Sequence, residues 1–100
     1  MVFDISKVTG IGDYVAEQGK DKNDQPRTIY RKDDKVFLVV NKNTIEIRTD
    51  SELRSLLTEK YESVMESRYF GRGGIEIVLA GNQLSDDELC DLVRLSYNLS

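Results

Sequence analysis

Between Arg27 and Thr49 three short segments rich in β-branched and aromatic side chains follow one another: Thr28-Ile29-Tyr30, Val36-Phe37-Leu38-Val39-Val40 and Thr44-Ile45-Glu46-Ile47. Such side chains fit a pleated, half-buried surface, so each segment reads as a strand. The stretches between them, Lys32-Asp33-Asp34-Lys35 and Asn41-Lys42-Asn43, supply Asp and Asn, which tolerate left-handed backbone and hydrogen-bond locally. An antiparallel meander follows. Its middle segment is almost wholly apolar and belongs at the centre of a sheet. In the third, Ile45 and Ile47 alternate with Thr44, Glu46 and Arg48, which puts one face on the core and the other in water.

The remaining segments wrap helices and a second hairpin around that meander. Thr49-Asp50-Ser51-Glu52 has capping-box character, and Leu53, Leu56 and Leu57 follow at helical spacing. Tyr61 to Glu66 alternates weakly, and Ile75, Ile77 and Leu79 alternate around Glu76 and Val78, with Gly71-Arg72-Gly73-Gly74 as the turn of the hairpin. Gly81-Asn82 turns the chain into a closing helix. That helix opens on Ser85-Asp86-Asp87-Glu88, carries an apolar stripe at Leu89, Leu92, Val93 and Leu99, and has Ser96-Tyr97 near its end. At the other end, within residues 1–26, Phe3 to Gln18 reads as a short or broken helix, because Gly10 and Gly12 each cost about 1 kcal/mol in a helix interior. The polar run Gly19 to Pro26 reads as a mobile loop. The expected order is α-β-β-β-α-β-β-α: a single α+β domain over residues 1–100, with an antiparallel sheet of about five strands packed against helices.

One hundred residues that are 39% apolar can bury one modest core without metal or disulfide staples. The lone Cys90 has no partner for an intramolecular bridge, which suits a reducing compartment, and the expected location is the cytoplasm. No run approaches the roughly 18 apolar residues of a membrane span, and Asp4 stands where a signal peptide would be basic and then apolar. With 18 acidic against 14 basic residues the net charge is −4, so the overall field repels phosphate and only a local basic patch could bind it.

Three stretches are similar to the MmcQ/YjbR family, small bacterial proteins described as predicted DNA-binding proteins with a double-wing motif. They are Asp34-Lys35-Val36-Phe37-Leu38-Val39-Val40, which resembles the family's Lys-x-Phe strand, Ile47-Arg48-Thr49-Asp50 at the entry to the middle helix, and Leu84-Ser85-Asp86-Asp87-Glu88-Leu89 running to Ser96-Tyr97. The resemblance covers Ile29 to Leu99 and implies an α-β3-α-β2-α fold, itself similar to that of type III secretion chaperones. It also implies nucleic-acid binding through the hairpin loops. This chain departs from the family after the middle helix. Relatives carry a Lys-rich turn followed by His and Trp, whereas here stands Gly71-Arg72-Gly73-Gly74-Ile75, with no His or Trp anywhere in the chain.

Arg68-Tyr69-Phe70-Gly71-Arg72-Gly73-Gly74 sets two guanidiniums beside aromatics and could cradle a phosphate or stack a base. It also reads as a plain hairpin loop whose glycines supply positive φ, with Tyr69 or Phe70 packed on the core edge. A second cluster, Arg27, Arg31, Lys32 and Lys35, would join Arg68 and Arg72 in one positive surface if the hairpins lie side by side. Asp33 and Asp34 within it cancel part of that potential and suit a charged strand edge guarded against aggregation. The acids Asp86, Asp87, Glu88 and Asp91 are explained by the partial positive charge of a helix N-terminus, and their spacing makes no cation loop. Cys90 reads as a small apolar residue, and Ser96 lacks a base to activate it, with Tyr97 on the buried stripe.

The expectation is therefore a non-enzymatic binding or regulatory domain with no cofactor, no metal and no membrane partner. The nucleic-acid expectation, with DNA as the partner, rests on Arg27, Arg31, Lys32, Lys35, Arg68 and Arg72. The rival is a protein-interaction or chaperone-like module acting as a homodimer, suggested by the chaperone-like fold and by Val64, Met65 and Phe70 as exposed apolar residues.

Overall fold

Apolar side chains that alternate along a strand are buried only when a strand lies beside them and a second layer lies above them. Both are present in the computed structural model, which describes residues 3–100; positions 1–2 of the expected domain lie outside the described residues. The strands are β1 (Val15–Lys20), β2 (Pro26–Lys32), β3 (Lys35–Val40), β4 (Thr44–Arg48), β5 (Val64–Ser67) and β6 (Gly71–Val78). They form one sheet in the order β1-β2-β3-β4-β6-β5, with every neighbouring pair antiparallel. Helix α1 (Ser51–Lys60) lies over β5 and β6, and α2 (Asp86–Leu99) over β3 and β4. The result is a single α+β domain with a Cα radius of gyration of 12.4 Å, close to the ~13 Å of a compact chain this long.

The main core lies between the sheet and the helices. Ile45 and Ile47 of β4 pair with Ile77 and Ile75 of β6, and these four meet Leu89, Val93 and Tyr97 of α2. A bulge sharpens this packing. Tyr30 pairs with Leu38 and Arg31 with Val36, so Phe37 has no partner, and Phe37 and Leu38 both enter the helix-side core. Each such side chain contributes about 1.5–3 kcal/mol when fully buried. The opposite, open face carries a small cluster of Ile29, Val36 and Val39, covered by Phe70.

The cap at Ser85 is as its spacing suggests, whereas α1 is capped one residue beyond Thr49, whose Oγ1 has no hydrogen-bond partner among the described residues. Asp50 Oδ1 accepts from Leu53 N at 2.8 Å. Ser85 Oγ accepts from Glu88 N at 3.1 Å while Glu88 Oε1 accepts from Ser85 N at 3.0 Å, a reciprocal box. The stripes are narrower than their spacing suggests: Leu56 is 63% and Leu99 50% exposed. The Asp33-Asp34 turn does adopt left-handed backbone, with φ of 49° and 72°.

Four expectations are corrected. No helix spans Phe3 to Gln18; a 3-10 turn at Ile5–Lys7 is followed by strand β1. Gly10 sits at φ 78° beside Arg94, and Gly12 lies under the Tyr97 hydroxyl, which a Cβ would approach to 2.8 Å, so the chain passes close against α2 as an irregular segment before β1 pairs with β2. The loop expected over Gly19 to Pro26 is shorter, residues 21–25, and joins a hairpin: Gly19-Lys20 and Pro26 are paired, and Asp21 Oδ1 accepts from Asn23 N and Gln25 N, both at 2.9 Å. The sheet consequently has six strands rather than five, and its order begins with a strand in place of the first helix. Finally, Gly71 to Gly74 opens strand β6, and the turn is Arg68-Tyr69-Phe70. Gly74 is required there because a Cβ would collide with the Ile47 carbonyl oxygen and come within 2.8 Å of Phe70 Cβ. Among the described residues no helix is long and apolar enough to cross a membrane.

Candidate functional site

Strand alternation decides which side chains reach the open face. On β4 and β6 the isoleucines point to the helices, so Glu46 and Glu76, which are cross-strand partners, point the other way. The register shift between Glu66 and Ser67 on β5 throws the 68–70 turn over that face instead of continuing the hairpin in plane. Both carboxylates are thereby buried to 2% exposure, where alternation alone had placed Glu46 in water.

Each carboxylate is held by its own set of donors, as burial of a charge demands. Glu46 accepts from Asn41 Nδ2 at 2.9 Å, from Ser67 Oγ at 2.8 Å and from Tyr69 N at 2.8 Å, all neutral groups. Glu76 accepts from Arg68 Nε at 2.9 Å and Nη2 at 2.7 Å and from Thr44 Oγ1 at 2.7 Å. Burial pushes the Glu76 carboxyl up, but the Arg68 and Thr44 hydrogen bonds and the Arg68 charge outweigh it and hold it below the ordinary carboxylate range.

Beside Glu46 a cleft of about 500 Å³ opens between the two hairpin turns. Asp21, Lys22 and Asn23 of the β1-β2 turn form one wall, and Arg68 and Tyr69 of the β5-β6 turn the other. Arg27 of β2 stands between them, and Asn41 and Glu46 form the buried end. The Arg27 guanidinium carbon lies 5.4 Å from the centroid of the Tyr69 ring, and its Nε is shielded with no hydrogen-bond partner among the described residues. The backbone hydrogen bond from Gln25 holds the Asp21 carboxyl down, with that from Asn23 and then the Arg68 and Arg27 charges adding smaller effects.

The structure divides the basic residues expected to act together. Arg27 and Arg68 meet at the cleft. Arg31 faces the same side but lies 3.6 Å from Glu17 Oε1. Lys32 is on the helix side: its Nζ donates to Tyr97 O at 3.2 Å and sits 4.5 Å from the Tyr97 ring, a cation at the C-terminal end of α2. Lys35 pairs with Lys32 in register and is exposed, and Arg72 is exposed on β6 outside the cleft. No single positive surface gathers all six.

Other singled-out residues are structural. Ser96, fully buried, donates to Phe37 O at 2.6 Å and accepts from Arg48 N at 2.8 Å. Tyr97 packs edge-on against Phe37, ring centroids 5.0 Å apart, and its hydroxyl donates to Asp13 O at 2.9 Å. Cys90 is buried, which pushes its thiol up. Of the apolar residues expected at the surface, Met65 is 44% exposed, but Val64 is only 4% exposed and Phe70 covers the open-face cluster. Sequence reasoning missed Lys22, Asn41 and Glu46 as cleft residues. The one signal available was a glutamate at the centre of an apolar strand.

Compared with protein-family models, curated proteins and solved structures, the chain matches none of them.

Proposed function

We propose that this chain is a non-enzymatic binding module of the MmcQ/YjbR type that meets nucleic acid through its hairpin loops, with the cleft between them as the contact surface. Arg27 carries this reading. It stands where the two turns converge, over the Tyr69 ring and with no ion-pair partner among the described residues, whereas Arg31 and Arg68 are engaged by Glu17 and Glu76. With a net charge of −4 the footprint is local, resting on Lys22, Arg27 and Arg68. For these contacts to a single strand, log K falls with log salt at a slope of about −2. Fluorescence anisotropy at low salt, with single strands and duplexes as probes, tests it. Binding that falls with salt and weakens in Arg27→Gln supports the reading, and no binding to any probe rejects it.

A second reading, a protein-interaction module acting as a homodimer, is favoured by the edge of the sheet. Strand β1 is paired only with β2, is exposed along most of its length, and begins at Val15, which is 66% exposed. Size-exclusion chromatography with light scattering separates the two: a dimer mass supports self-association, and a monomer across a wide concentration range counts against it.

A further inference from the structure

The cleft has an electrical direction. Its buried end is formed by Asn41 and Glu46, 8% and 2% exposed, and its open side by the cations Lys22, Arg27 and Arg68, which outnumber the one carboxylate beside them, Asp21. Arg68 uses Nε and Nη2 on Glu76, which leaves Nη1 for a ligand. Arg27 has no ion-pair partner among the described residues, and with its Nε shielded it is the terminal guanidinium nitrogens that an incoming acceptor would meet. Tyr69, 37% exposed, shares one wall with Arg68, its ring 5.4 Å from the Arg27 guanidinium carbon and edge-to-face with Phe70 at 5.0 Å.

From this we infer that the cleft is a site for one nucleoside phosphate. The phosphate sits on the open side against Lys22, Arg27 and Arg68, since Glu46 repels it from the buried end, and the ring lies against Tyr69 with an N–H-bearing edge toward Asn41 and Glu46. The volume of about 500 Å³ falls within the ~300–1,000 Å³ of small-ligand sites. A duplex offers its bases only edge-on within the grooves, so an aromatic wall of this kind is reached by an unpaired nucleotide. The inference rests on the nucleic-acid reading above and narrows it to single strands or free nucleotides.

The test uses the whole chain with a short fluorescein-labelled single-stranded DNA, the same sequence as a duplex, and adenosine 5′-monophosphate and inorganic phosphate as competitors. The single strand is expected to bind about tenfold more tightly than the duplex, and the mononucleotide to compete better than inorganic phosphate. Tyr69→Leu weakens single-strand binding about tenfold and Tyr69→Phe retains it. Arg27→Gln, which leaves every aromatic in place, weakens it too and guards against misfolding of the Tyr69 variant. Equal binding of strand and duplex, unchanged by Tyr69→Leu, overturns the site and leaves the broader nucleic-acid reading standing. Mononucleotide binding with no strand binding supports the site and overturns that reading. Binding of none of the probes overturns both.

Discussion

Glu46 on β4 and Glu76 on β6 stand directly opposite each other on the open face, both 2% exposed, and the structure gives an arginine partner to Glu76 alone. Two like charges at cross-strand positions repel, so the pair survives only through its donors. Arg68→Ala removes two of the three bonds to Glu76. A fully buried pair broken this way loses about 3–5 kcal/mol. With the Arg68 side chain 59% exposed, solvent screening lowers the expected loss to about 2 kcal/mol. Urea unfolding checks it, and adding Glu76→Gln to Arg68→Ala is expected to recover part of the loss.

The same carboxylate sets an acid limit. The folded-state pKa of Glu76 is depressed, so its contribution is fully present above the ordinary glutamate value of about 4.3 and is lost as pH falls through the lower folded value. Melting temperature followed from neutral pH downward should show little change from this group until pH drops below about 4.3, then a decline that Glu76→Gln makes shallower.

Ser96 fastens α2 to the sheet with one hydroxyl. Ser96→Ala strands the Phe37 carbonyl and the Arg48 amide in a fully buried place and should cost about 1–3 kcal/mol in urea unfolding. Tyr97→Phe loses only the bond to Asp13 O and should cost about 0.5–1.5 kcal/mol.

At Gly74 the turn over the open face is pressed against β4. Gly74→Ala forces a methyl into the Ile47 carbonyl oxygen and Phe70, and a loss of about 1–3 kcal/mol is expected. Gly19→Ala, with nothing within 4 Å, should stay within about 0.5 kcal/mol; thermal unfolding of both variants makes the comparison.

What could be read from the sequence was local. The meander from Thr28 to Ile47 and the capping box at Ser85 depend on residues a few positions apart, and the structure has them, while the start of α1 is legible to within one residue, its cap being Asp50 rather than Thr49. Strand β1 was illegible because Val15-Ala16-Glu17-Gln18-Gly19-Lys20 has little intrinsic strand preference and exists by pairing with β2. The burial of Glu46 was hidden for a related reason. Period two assigned it to the outer face, and only the register shift after Glu66 brings Ser67 and Tyr69 over it. Of the six basic residues, spacing could show that they cluster along the chain but not that Lys32 turns to α2 while Arg27 and Arg68 converge.

The central claim is that nucleic acid enters the cleft between the two hairpin turns. A titration of the ¹⁵N-labelled chain with a short single-stranded DNA, followed by amide chemical shifts, tests it most directly. The account predicts shifts concentrated at Lys22, Asn23, Arg27, Asn41, Arg68 and Tyr69. Shifts confined to Lys32, Lys35 and the end of α2, or no shifts at saturating DNA, would contradict it.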